Sequence, residues 1–402
     1  MGFLTTNLKH KQAGRSRRLR VAVVTGTRAE FGPLESVLRA MKRWPRLDPR
    51  LIVTGMHLLP QFGRTIDQIR AAGWRVDATV RMQTGRGANE EPDALARGIS
   101  GIARAIDRLA CPVVFVLGDR IEAFAAACAA TVGRRVLCHS HGGDRAMGIL
   151  DDIYRDAISR MAHVHLAASR DAVRRLQRMG EEPWRIHLVG APGLDDIRVL
   201  RAGMHRGGHR VRVRLNELMV SVAKRPYAVV VQHPIGRSAS AEAATMRRVL
   251  QAVEAVGLGG AIIFPNSDAG HEGIVRQIGR WRNRPEWRVF RSLPREDYLL
   301  LASHAAVLVG NSSSGIIESA SLGVPAVNIG PRQEGRLRCG RSVVDVPDQP
   351  LAIRRAVAQA AKTTRPAPTR SVYGDGRAGE RIARILGRLK VDDRLTRKRP
   401  VF

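Results

Sequence analysis

The chain is expected to be an α/β protein of two doubly wound domains that face each other across a cleft. Three observations predict this. Its 402 residues exceed what one hydrophobic core usually organises. Short β-branched runs alternate with amphipathic stretches, and that alternation starts afresh after the middle of the chain. Polar clusters follow directly on six of the apolar runs, at the strand ends where open α/β sheets bind ligands. With 44% hydrophobic but only 4% aromatic residues, the cores must be built mainly from aliphatic side chains.

The elements follow in order. Val21-Ala22-Val23-Val24 is a buried strand, and Leu34, Val37, Leu38 and Met41 continue it as one face of a helix. Leu51-Ile52-Val53-Thr54, Val113-Val114-Phe115-Val116-Leu117, Arg135-Val136-Leu137-Cys138-His139 and Val164-His165-Leu166-Ala167-Ala168 complete a first parallel sheet covered on both faces. The pattern restarts with Tyr227-Ala228-Val229-Val230-Val231. It continues through Ala261-Ile262-Ile263-Phe264, Trp287-Arg288-Val289-Phe290, Ala306-Val307-Leu308-Val309 and Pro325-Ala326-Val327-Asn328-Ile329. The expected organisation is a disordered basic arm (1–19), an N-terminal Rossmann-like domain (20–196) and a Gly- and Arg-rich connection (197–225). A C-terminal nucleotide-binding Rossmann-like domain (226–375) and a C-terminal helix with a basic tail (376–402) complete it.

The formal charge of +31 is the usual footprint of a nucleic-acid or membrane-surface partner. Here 60 of the 67 basic residues are arginines spread through every segment, which reads as compositional bias rather than a binding patch. Aromatic platforms are scarce, so no nucleic-acid partner is expected. No apolar run reaches the length of a membrane span, so no membrane insertion is expected. Cys111, Cys128, Cys138 and Cys339 form no CxxC pair and lie in apolar runs; reduced thiols in a cytoplasmic protein are the natural reading.

The chemistry should lie at the strand ends. Asn311-Ser312-Ser313-Ser314-Gly315-Ile316-Ile317-Glu318 places small residues between a strand and a helix, where backbone N–H groups cradle phosphate; Ser312 and Ser313 are equally good helix caps. Glu318, one turn on, can accept from ribose hydroxyls or simply offset the helix dipole. Arg28 and Arg332 follow strands and can supply charge to a diphosphate. Asp119, Asp144, Asp151 and Asp152 are the acid/base candidates, with Asp119 at the edge of a buried sheet where desolvation tunes a carboxyl. His139 and His141 stand two residues apart with no third ligand at a recognisable spacing, so no metal site is expected. His233, in Gln232-His233-Pro234, alone reads as a turn residue.

Taken in order, these motifs resemble the UDP-N-acetylglucosamine 2-epimerase family, and more closely its hydrolysing branch, which serves sialic-acid-type (nonulosonate) biosynthesis. The stretches are Thr25-Gly26-Thr27-Arg28-Ala29-Glu30-Phe31-Gly32, Gly118-Asp119-Arg120, His141-Gly142-Gly143-Asp144 with Asp151-Asp152, and Val189-Gly190-Ala191-Pro192-Gly193-Leu194-Asp195. They continue with Gln232-His233-Pro234, Pro265-Asn266-Ser267-Asp268-Ala269-Gly270, 311–318 and Gly330-Pro331-Arg332-Gln333-Glu334-Gly335-Arg336, spanning about 20–345. The resemblance implies two Rossmann-like domains arranged as in glycosyltransferases of the B type, a homodimer and no cofactor. It implies a UDP-sugar site of Arg28, His233, Asn266, Ser312, Ser313, Glu318 and Arg332, joined by Arg120 from the other wall. Asp119, Asp151 and Asp152 fall at the acid/base positions.

One departure stands out: many family members carry glutamate where this chain has His141, so either His141 or Asp144 takes that acid/base role. The implied reaction is elimination of UDP across C1–C2, followed by hydration of the glycal to free N-acetylmannosamine or a 2,4-diacetamido-trideoxy analogue. A non-hydrolysing 2-epimerase and a nucleotide-sugar glycosyltransferase of the same fold are the alternatives.

Overall fold

A computed structural model describes residues 18–84, 90–146, 150–204, 208–219, 225–363, 371–399 and 401. Almost all of the expected basic arm, part of the 197–225 connection and a few tail residues lie outside them.

Seven strands form the first sheet: β1 (Leu19–Thr25), β2 (Leu47–Thr54), β3 (Ala78–Val80), β4 (Val113–Leu117), β5 (Val136–Ser140), β6 (Val164–Ala167) and β7 (Ile186–Leu188). Six form the second: β8 (Tyr227–Val231), β9 (Gly259–Ile263), β10 (Trp287–Phe290), β11 (Val307–Gly310), β12 (Ala326–Ile329) and β13 (Val343–Val346). All pairings between these strands are parallel. The orders are β3-β2-β1-β4-β5-β6-β7 and β10-β9-β8-β11-β12-β13, so both sheets reverse direction between their first and fourth strands. Such a switch point opens a crevice at the carboxyl ends of the two strands. The predicted two-domain α/β architecture is the observed one.

Helices cover both faces because both faces are apolar. Val21 and Val23 belong to one buried cluster, whereas Ala22 and Val24 belong to the cluster on the opposite face. The second sheet repeats this alternation, with Tyr227 and Val229 on one side and Ala228 and Val230 on the other. Helices Gly193–Met204 and Gly208–Met219 occupy the connection. Helix Ala378–Gly387 returns to the N-terminal domain, where Ile382, Ala383 and Leu386 complete the core against helix Arg28–Arg43. The chain therefore crosses between the domains twice. No described helix is long and apolar enough to cross a membrane.

Candidate active site

The N-terminal wall of the cleft begins at the end of β1. Thr27 caps helix Arg28–Arg43 and Glu30 closes the capping box, its Oε2 accepting from the N–H groups of Gly26 (3.0 Å) and Thr27 (3.1 Å). This local chemistry leaves Arg28 at the first helical position, where burial lowers its guanidinium to about 10 and Nη1 has no hydrogen-bond partner among the described residues. Behind it, Glu30 and the fully buried Glu122 face each other. Burial, then the Glu122 charge, pushes the Glu30 carboxyl up to about 7.

At the ends of β4 and β5 the acid/base candidates meet. Arg155, only 1% exposed, forms ion pairs with both Asp119 and Asp152, and its Nη1 donates to the carbonyl of Asp144 (3.1 Å). Where the sequence implied only an apolar surround for Asp119, the structure supplies a buried cation. His141 Nδ1 lies 2.8 Å from Asp144 Oδ2. His139 diverges from it and braces the two strands, its Nε2 on the carbonyl of Gly118 (2.8 Å) and its Nδ1 on Ser159 (3.2 Å); burial holds this ring neutral, down to about 3. Among the described residues no group of three or more His, Cys, Asp or Glu is placed to hold a metal ion.

The C-terminal wall is built from the switch point of the second sheet. Asn311, at the end of β11, accepts from the His233 backbone N–H (2.7 Å) and donates to its carbonyl (2.8 Å), fixing the turn after β8. The N–H of Asn266 donates to His233 Nδ1 (3.0 Å), so the neutral ring carries its proton on Nε2. Burial, then Arg332, holds His233 down to about 3. Ser312 caps helix Ser313–Ile317. Glu318 is engaged from two sides, by Arg295 Nη2 (2.7 Å) and by the Ser314 hydroxyl (2.6 Å). Arg332 Nη1 and Gln333 Nε2 both donate to the carbonyl of Asn311 (3.2 and 3.0 Å).

Three pairs join the walls: Arg120 Nη1 to Asp268 Oδ1 (2.9 Å), Arg336 Nη1 to Asp144 Oδ2 (3.6 Å) and Arg332 Nη2 to Asp151 Oδ2 (3.8 Å). All thirteen sequence-derived candidates therefore stand on the two walls of one cleft. Sequence reasoning did not single out Arg155, Asn311, Asp268, Arg336 or Arg295. For Arg155 the signal was its helical offset of three from Asp152; Asn311, Asp268 and Arg336 lay inside motifs already noticed, and nothing local marks Arg295. Guanidinium N–H groups without a partner among the described residues, Arg28 Nη1, Arg155 Nε and Arg336 Nε, suit a polyanionic ligand.

Residues 39–387 match the family model for UDP-N-acetylglucosamine 2-epimerase. The chain is 32% identical over 343 residues to the UDP-N-acetylglucosamine 2-epimerase of Neisseria meningitidis serogroup B, covering 85% of this chain and 87% of that protein. It is 31% identical over 383 residues to a hydrolysing UDP-N,N'-diacetylbacillosamine 2-epimerase of Legionella pneumophila, covering 94% and 98%. A crystal structure of the Methanocaldococcus jannaschii UDP-GlcNAc 2-epimerase in complex with UDP-GlcNAc and UDP superposes with a TM-score of 0.77 at 18% identity. That superposition covers 92% of this chain and 99% of that one.

Proposed function

From the premise that the chain belongs to the UDP-N-acetylglucosamine 2-epimerase family, we propose that it is a hydrolysing nucleotide-sugar 2-epimerase. Its substrate would be UDP-N-acetylglucosamine or a UDP-2,4-diacetamido-trideoxyhexose. The observation that carries this reading is the opposition of two chemistries across one cleft. On the C-terminal side a helix N-terminus, the neutral His233 ring and the Arg332 guanidinium suit a diphosphate. On the N-terminal side stand two carboxylates sharing one buried guanidinium, together with an imidazole. The Legionella relative, matched over nearly its whole length, supports the hydrolysing form.

The mechanism assigns each group a task. His233 Nε2–H, Arg28, Arg332 and the N–H groups at Ser312 and Ser313 receive the diphosphate and stabilise its departure. Glu318 is the ribose acceptor, pre-oriented by Arg295. Asp119 takes the C2 proton; the electron pair forms C1=C2 as the C1–O bond breaks and UDP leaves. Water then adds its hydroxyl to C1 while a proton arrives at C2 on the opposite face.

Incubation with either substrate in deuterated water tests the proposal: free UDP and a 2-deuterated free sugar are expected. The Neisseria relative, whose name specifies no hydrolysis, favours a second reading, the non-hydrolysing epimerase. In that case the 2-deuterated product stays linked to UDP.

A further inference from the structure

One loop has a geometry that the reaction scheme above does not use. His141 sits at φ +68°, a left-handed conformation that costs a non-glycine residue roughly 1 kcal/mol or more. The following turn holds it there. Gly143 is also left-handed (φ +75°), and a Cβ at that position would lie 2.5 Å from the carbonyl of Ala172; Arg175 Nη1 donates to the Gly143 carbonyl (2.9 Å). The imidazole thus projects from a locked turn, beside Asp119 on the neighbouring strand: the Gly118 N–H donates to the carbonyl of Ser140 (3.0 Å).

The two side chains that meet here differ in exposure. The Asp144 side chain is 4% exposed, set behind the imidazole and engaged by His141 Nδ1 (2.8 Å) and Arg336 Nη1 (3.6 Å). His141 is 13% exposed, and no described residue hydrogen-bonds its Nε2. The charged and titratable groups around the pair are Asp152 and Arg155 on helix Asp151–Met161, Arg175 on helix Arg170–Arg178, Arg336 from the other domain, and the neutral His139. Asp119 and Asp152 are both engaged by the Arg155 guanidinium, whereas the His141 imidazole is engaged by the Asp144 carboxylate. An imidazole whose Nδ1–H is held by a buried carboxylate keeps Nε2 turned outward to exchange a proton with a bound ligand.

Resting on the epimerase reading, we propose that His141 is the acid that protonates C2 of the glycal, and that Asp144 is a positioning residue acting through it. The imidazolium Nε2–H is transferred to C2 as the C1=C2 pair forms the new C–H bond. The cation left at C1 takes hydroxyl from water, and the water's remaining proton returns through solvent to restore the imidazolium.

The test separates the two half-reactions in the full chain. Asparagine tolerates left-handed backbone, so His141→Asn is the cleaner substitution. It should bind UDP within about threefold of wild type and still release UDP from UDP-N-acetylglucosamine in the first turnover. It should hydrate 2-acetamidoglucal, offered with UDP, at least 100-fold more slowly. Asp144→Asn should lose hydration in the same direction, with the alkaline fall of the hydration rate moved to lower pH because the imidazolium has lost its counter-ion. Full-rate hydration by His141→Asn overturns the proposal, as does an Asp144→Asn profile identical in shape to wild type. So does loss of hydration in Asp144→Asn while His141→Asn retains it, since the carboxylate would then be the acid itself. If His141→Asn fails to bind UDP, the Asp144→Asn profile decides. Absence of turnover by the wild type with UDP-N-acetylglucosamine and with the diacetamido analogue defeats the epimerase reading, and this assignment with it.

Discussion

Arg155 shows what a single residue decides in this cleft. It is buried, it faces Asp119 and Asp152 together, and it ties the Asp144 backbone to both. Asp119→Asn keeps the shape while removing the proton acceptor, so UDP release should stop while UDP affinity, measured calorimetrically, stays near wild type. A comparable loss of UDP binding would show that Asp119 belongs to the binding set instead. Arg332→Ala should have the opposite signature, weakening UDP roughly 30-fold through loss of a buried charge. The strand-end candidates were legible because their type and position coincide. Arg295 and Glu122 were not, because their importance lies in partners distant in sequence: Glu318 for Arg295 and Glu30 for Glu122. Glu30 yields a pH prediction. Its folded-state pKa, about 7, lies above the unfolded value of 4.5, so proton binding favours the fold. That stabilisation is fully present below pH 4.5 and is lost as pH rises through 7. Wild type should lose about 2 kcal/mol relative to Glu30→Gln between pH 5 and pH 8, read as a widening gap in Tm; a gap independent of pH would show that Glu30 does not hold its proton.

At the level of elements, the strands found from the sequence and those missed differ in a physical way. β1, β4, β5, β8 and β11 are interior strands buried on both faces, so continuous β-branched runs mark them. β3, β7 and β13 escaped notice, and all three are edge strands. Each has one neighbour and partly exposed residues, as the patterns of Ile186–Leu188 and Val343–Val346 show; such strands need no long apolar run. The connecting turns were legible as well, because their glycines have structural work. Gly310 ends β11 at φ +128°, and a Cβ there would stand 2.1 Å from the carbonyl of Val231. Gly310→Ala should therefore push β11 from β8, destabilising the protein by about 2–3 kcal/mol and weakening UDP binding through the displaced Asn311. Urea denaturation of this variant checks the first effect; an unchanged midpoint would mean the turn yields without cost.

For the molecule as a whole, the +31 charge and the cleft have to be considered together. The arginines of the cleft are largely matched by local carboxylates: Arg120 by Asp268 and Glu122, Arg155 by Asp119 and Asp152, Arg332 by Asp151, Arg336 by Asp144. Three of these pairings span the two domains, so they hold the walls together without a ligand, and the sequence alone could not reveal which arginines do so among 60. Replacing one member of a largely buried pair leaves its partner uncompensated, which costs about 3–5 kcal/mol. An interdomain pair can escape that cost by opening and admitting water. Arg120→Gln combined with Arg336→Gln should therefore open the cleft rather than unfold either domain, because each arginine stands on a cleft wall and pairs with a carboxylate of the opposite one. Small-angle scattering should show a radius of gyration larger by about 1–2 Å, on roughly 21 Å for a compact chain of this length, with helix content unchanged. Wild type should move part of the way towards that value as salt is raised, since partly exposed pairs are screened. UDP should close the variant again, because the diphosphate brings the anionic charge that Arg28 and Arg332 are left to receive. Identical scattering from the two proteins would mean that the helical connection and the returning C-terminal helix, not the charge pairs, set the distance between the domains.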